Sequence, residues 1–378
     1  MADAARVSDA SAAARRESIL PLHIGLGEEW IPPGEADDIA SMLTLLRQVQ
    51  EQSDRKREPV PRDQHPKQHA CLFAELRVLP GLPVELRHGI FREPQTFPAV
   101  IRLSNARQRH DELPDAHGFA LKLVGVAGPR LLDDEAGAST QDFVLVDHPV
   151  FFMRDVAAGV SLVRDFKELK TGGLLQRARV VLRGLASQER GFQIMRAMSA
   201  KRPRSLLATR YWCTTPVRLG PLAVKLSVRP RTRPEDAPRC RGRDRHRLDV
   251  ARRLAAKETR FDFLIQRQQH PVDTPVEDPT VEWDETAAPF ERVAEIRIPM
   301  QNVTDPARLA FGERLSFTPW HGVREHAPLG GINRARRAIY QALSERRRML
   351  NGVPLREPDL ADLRALWPEL CGSPDVRV

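Results

Sequence analysis

The chain has 378 residues, 41% of them hydrophobic and 29% charged, with a formal net charge of +9. This balance describes a globular protein with ample core, and no run approaches the ~20 apolar residues that a membrane-spanning helix needs. The positive charge raises nucleic acid as a partner, but the arginines that cluster between Pro230 and Arg247 have no aromatic platform among them. They read as a solvated insertion, so no specific nucleic-acid partner is expected.

From Met1 to about residue 60 the chain reads as an arm rich in alanine and charge, with a helix from Asp38 to Gln50. It opens without an apolar stretch of the kind that directs secretion. The four cysteines, Cys71, Cys213, Cys240 and Cys371, are scattered without a Cys-x-x-Cys pair. That usage points to a reducing cytoplasm rather than a disulfide framework.

Alternating segments follow at Leu72–Val78, Ala99–Ser104, Phe119–Val124 and Phe143–Val146, the period of half-buried strands. Alternation points Cys71 the same way as His69, and it reads as interior filling. Helices are expected over Val160–Leu169 and Leu174–Ala200. Strands return at Leu222–Val228, Arg260–Ile265 and Val293–Ile298. No internal repeat and no glycine-rich phosphate loop interrupts this order.

The last helix is the most informative. Asn333 is a suitable N-cap and Asn351-Gly352 a suitable stop. Between them stands Arg336-x-x-x-Tyr340, with Tyr340 one of only two tyrosines. Residues four apart share a helix face, so the guanidinium can stand beside the phenol and favour its ionised, metal-binding form. Phenolate is an axial ligand used for haem iron. The same pattern also describes a surface helix with a half-buried tyrosine, and the helix alone does not choose.

The rest of the chain does. In order it carries Gln68-His69-Ala-Cys-Leu-Phe, Val100-Ile-Arg102-Leu-Ser104, Asp115-Ala-His-Gly118-Phe-Ala-Leu-Lys-Leu123, Pro149-Val-Phe-Phe-Met-Arg-Asp155 and Arg336-x-x-x-Tyr340. In this sequence of blocks it resembles the monofunctional haem catalases. It is more similar to the small catalase-related haem proteins of bacteria, through Pro279-Thr-Val-Glu-Trp283, Leu315-Ser-Phe-Thr-Pro-Trp-His321 and Pro328-Leu-Gly-Gly-Ile-Asn-Arg-Ala-Arg336. The resemblance runs from about residue 60 to 350. It implies an α+β fold, an antiparallel β-barrel with surrounding helices, lacking the C-terminal helical domain of full catalases and with it the NADPH site. The division expected is an arm at 1–60, a haem-binding domain at 61–355 and a tail at 356–378.

The resemblance also implies roles. His69 matches the distal histidine that moves a proton between the two oxygens of a peroxide, and Ser104 the serine that orients it. Tyr340 matches the axial ligand of a haem, b-type by expectation, with Arg336 beside it. Arg102 and Arg347 match arginines that pair with the haem propionates. A third such arginine stands three residues before the distal histidine in catalases; counted from His69 that position is Pro66, and Lys67 is the candidate to replace it.

At the distal asparagine the chain departs from catalases. Val146 stands there, so the role is lost or passes to Asp147. Weak catalase activity is therefore expected, in an enzyme that reduces hydrogen peroxide or organic and lipid hydroperoxides with a separate electron donor. A non-catalytic haem binder and a fatty-acid hydroperoxide isomerase of the allene oxide synthase type are the alternatives. A homo-oligomer is a further expectation of the resemblance.

Overall fold

The computed structural model describes residues 24–54, 59–187, 189–231 and 239–368. Residues 1–23 and 55–58 of the expected arm, part of the arginine-rich insertion, Cys371 and the end of the tail lie outside the described residues.

In chain order the elements are α1 (Glu35–Asp54), β1 (Lys67–Val78), β2 (Thr96–Asn105), β3 (His117–Val124), β4 (Thr140–Val146), α2 (Val156–Thr171), α3 (Leu174–Ala186), α4 (Arg190–Ser199), β5 (Tyr211–Trp212), β6 (Val217–Leu219), β7 (Leu222–Pro230), α5 (Arg245–Ala256), β8 (Thr259–Arg267), β9 (Phe290–Ile298), α6 (Pro306–Arg314), α7 (Gly331–Leu350) and α8 (Leu360–Leu366). The expected helix over 174–200 is two helices, α3 and α4.

The strands pair antiparallel in the order β5-β4-β3-β2-β1-β9-β8-β7, with β6 beside β7. The two-residue β5 closes the ring, because Trp212 pairs with Val146 of β4 and Tyr211 with Val228 of β7. Eight strands thus make a barrel, and closure leaves few free edges. The period-2 alternation divides its two faces. Ala70, Leu72, Leu76, Ile101, Leu103, Phe119, Leu121, Phe261 and Phe263 fill the inside. Val100 faces outward, in a cluster with Phe73, Phe311, Leu315 and Trp367.

Two local features depart from the sequence pattern. The pairing of β1 with β2 shifts between Gln68 and Ala70. This bulge separates His69 from Cys71, which belongs to the outer cluster with Phe73 rather than to the barrel filling. Helix α7 starts at Gly331 after Gly330, whose φ of 88° suits glycine alone. Asn333 is therefore inside the helix rather than its cap. Its amide donates to the carbonyls of Pro216 and Leu329. The stop at Asn351 and Gly352 is as expected, with Gly352 at φ 64°.

Candidate active site

The outer face of β2, β3 and β4 and the inner side of α7 enclose a recess of about 820 Å³, counting its open mouth. Ser104, Gly118, Ala120 and Val144 form its barrel wall; Tyr340, Leu343, Ser344 and Arg347 form its helix wall; Phe317 and the 62–65 segment complete it.

One histidine stands in this recess, and it is His65. Its Nδ1 lies 3.0 Å from the Ser104 hydroxyl. The backbone there is left-handed, with φ 55°, alone among the described non-glycine residues. That conformation is costly for a residue other than glycine, more so before a proline, and such strain gathers at functional sites. It is held by the bond from the His65 amide to the Ala106 carbonyl at 3.0 Å and from Arg102 Nη1 to the His65 carbonyl at 3.0 Å. Gly118 makes the room, since a Cβ there would come within 2.6 Å of His65 Nδ1. Burial, aided by the charge of Arg102, lowers the His65 pKa to about 4, so the ring is a neutral proton acceptor at pH 7.

Three arginines border the recess. Arg62 donates to the carbonyls of Gly312, Glu313 and Leu315, leaving its buried Nε without a hydrogen-bond partner. Arg102 reaches Gln68 at 3.1 Å and the Glu313 carboxylate at 3.1 Å. Arg347 donates to the Glu313 carbonyl at 2.9 Å. Burial together with mutual repulsion brings Arg62 well below the usual guanidinium range, and burial brings Arg347 down to about 10 despite Glu313. Asp63 in the lining and Glu313 behind it offset part of the charge, and the remainder suits an anion.

The expected residues are thus divided. Ser104, Arg102, Tyr340 and Arg347 meet at the recess. Arg336 does not line it: its guanidinium binds the Thr215 hydroxyl at 3.0 Å and lies over the Phe151 ring at 4.7 Å. The expected pairing of Ser104 with His69 is corrected by the structure. His69 Nε2 is 2.7 Å from Asn105 Oδ1, and its ring stands edge-on to His246. Asp147 does not reach the recess either. Its carboxylate accepts from the His117 amide and from His117 Nδ1, both at 2.8 Å. His69, Asn105, His117 and Asp147 form a buried polar layer, with His246 of α5 packed on it. Lys67 is likewise engaged elsewhere, with Asp111 at 2.5 Å and Asp244 at 3.0 Å.

The signal that would have found His65 is the arginine three residues before a histidine. Pro66 is wrong for His69, whereas Arg62 has the right spacing from His65. Val146 packs with Val150, Ile194 and Met198, so it offers no polar atom in place of an asparagine.

As a donor set the lining could hold haem. Tyr340 offers a phenol oxygen on one wall, Phe317, Leu343 and Val144 offer apolar contact, and the arginines offer partners for carboxylates, with the buried Arg62 Nε making no hydrogen bond and only a 3.8 Å ion pair to Glu313. Among the described residues one other group has metal-binding composition, Glu135, His321 and Glu357. The ammonium of Lys122 already stands there, bound to Glu357 and to Asp142.

No protein-family model and no curated protein matches this chain. Solved structures do. A bacterial catalase superposes with a TM-score of 0.55 at 17% identity, over 84% of this chain and 64% of its own length. A fungal catalase gives 0.54 at 16%, over 83% and 64%. Catalase A from Saccharomyces cerevisiae gives 0.54 at 15%, over 83% and 66%. The fold is therefore catalase-like, and the chain spans about two thirds of the length of these neighbours or slightly less. No helix among the described residues is long and apolar enough to cross a membrane.

Proposed function

We propose that this chain is a haem-dependent, catalase-like peroxidase that reduces hydrogen peroxide or organic hydroperoxides. The observation that carries the reading is the convergence of His65, Ser104 and Tyr340 on one arginine-bordered recess. Tyr340 would supply the phenol oxygen that holds the iron, and Arg62, Arg102 and Arg347 would hold the cofactor carboxylates. Haem, when bound, supplies redox-active iron able to give peroxide the electrons that break its O–O bond.

The chain's own part is proton movement. His65, neutral at pH 7, accepts the proton of the proximal peroxide oxygen and returns it to the departing one, which leaves as water or alcohol. The Ser104 hydroxyl fixes the ring's tautomer and orientation. Phe317, Leu343 and Val144 keep bulk water from the reacting atoms and accept an apolar hydroperoxide as readily as hydrogen peroxide. Val146 supplies no amide to polarise a second peroxide, so oxygen evolution is weak and an external electron donor completes the cycle.

The test is the visible spectrum of protein expressed with ample haem, beside Tyr340→Phe. A ferric tyrosinate spectrum that is lost in the variant supports the reading; folded wild type that binds no haem overturns it. Product analysis with a fatty-acid hydroperoxide, with and without donor, separates reduction from isomerisation.

A further inference from the structure

Helix α3 turns its apolar side to solvent. Among its described side chains Val180 alone is buried, whereas Leu174, Leu175, Val181 and Leu182 are 85, 86, 48 and 66% exposed. At about 100° per residue these four and Ala178 fall in one sector of about 120°, on the side opposite Val180. The residues expected to seat a surface helix on its domain here point away from it.

Arginine stands beside both edges of that sector, Arg177 on one, where it also donates to the Gly172 and Lys170 carbonyls, and Arg179 on the other, with Arg183 further round. Residues 169–188 contain Lys170, Arg177, Arg179 and Arg183 and no carboxylate. From the neighbouring helix, Asp165 pairs with Arg183. A solvent-facing apolar stripe with an arginine beside each edge and no carboxylate on its own helix matches a lipid surface: the stripe would enter the acyl boundary and the guanidiniums meet headgroup phosphates. A second copy of the chain is a poorer occupant. A two-fold contact through this helix sets the same basic edges against each other.

We propose that α3 is an interfacial anchor that seats this protein on anionic phospholipid. The inference stands on α3 alone and does not depend on the peroxide chemistry above. Co-sedimentation of the full chain with phosphatidylglycerol-containing vesicles, beside pure phosphatidylcholine vesicles, tests it. Binding should be about tenfold stronger or more on the anionic vesicles and should weaken with salt. Leu175→Glu with Leu182→Glu changes two exposed positions, leaves the fold intact by circular dichroism, and should reduce binding about tenfold or more. Arg179→Glu should weaken binding to the anionic vesicles. The proposal is overturned if wild type stays in the supernatant with both vesicles, or if the double variant binds as wild type does. Self-association that the double variant abolishes, without vesicle binding, would assign the face to a second copy instead.

Discussion

His65 and Ser104 meet at 3.0 Å across the outer wall of the barrel, ring nitrogen to hydroxyl. His69, only four residues further on, faces Asn105 in a different compartment. The two histidines differ in what they can reach, and the difference is open to direct test.

His65→Ala should lower peroxide turnover by about 10²–10⁴-fold while haem content is kept. His69→Ala should leave turnover within a few-fold of wild type and act on stability, at about 1–3 kcal/mol, because Asn105 loses a buried partner. Steady-state peroxide assays on both haem-loaded variants, with denaturant titrations, check the contrast; equal loss of turnover in both would reject it.

Gly118→Ala presses a methyl group against the His65 ring, at the 2.6 Å approach noted above. The strand backbone admits alanine, so the barrel should fold with a loss of about 1–3 kcal/mol. Turnover should fall by about tenfold or more as the imidazole leaves its place. Unchanged kcat with peroxide would show that the ring position is not required.

In the proposed reading the acidity of His65 sets the pH profile. Its pKa is lowered from 6.5 to about 4 by burial, then by Arg102. Turnover should be flat from about pH 5 to 8 and fall as the ring takes up a proton below that. Arg102→Gln removes one depressing charge, so the acid limb should move upward. A pH–rate profile of each checks the shift, with haem content measured in parallel because Arg102 is also a cofactor contact in the proposed reading.

His321 governs a different pH range. Its Nε2 is 2.9 Å from Glu135, and its Nδ1 is 3.0 Å from Asp142 and 3.4 Å from Glu357. Burial and Lys122 oppose its charge, but Glu357, Asp142 and Glu135 prevail and raise its pKa from 6.5 to about 9. Because the folded value exceeds the unfolded one, its stabilisation is complete below about pH 6.5 and is lost as pH rises through about 9. Thermal melts from pH 6.5 to 10 should show that decline. His321→Gln should be less stable by about 3 kcal/mol at neutral pH, with a flatter profile over this range.

Much of this protein was legible before its structure. The strand segments announce themselves because a barrel wall exposes its residues alternately to two environments, as at Leu72–Val78 and Phe119–Val124. Tyr340 and Arg347 are visible as one helix face, and Ser104 and Arg102 as one strand face, because those relations are local and periodic. The break between α3 and α4 was not legible, nor was the N-cap, where a glycine with positive φ leads and Asn333 is used inside the helix.

The choice between His65 and His69 belonged to the tertiary structure. Both precede or open the same strand, and neither is marked by periodicity. A shift in the pairing of β1 with β2 between Gln68 and Ala70 interrupts the alternation at His69. The left-handed turn at His65 brings its ring to Ser104, where Gly118 leaves space. By itself the sequence determined the barrel strands, the tyrosine helix and two of the recess arginines, Arg102 and Arg347, whose signals lie within one element; Arg62 emerged only with the fold. Only the folded chain decided which histidine enters the recess, because side-chain direction past a bulge follows from the pairing of distant strands.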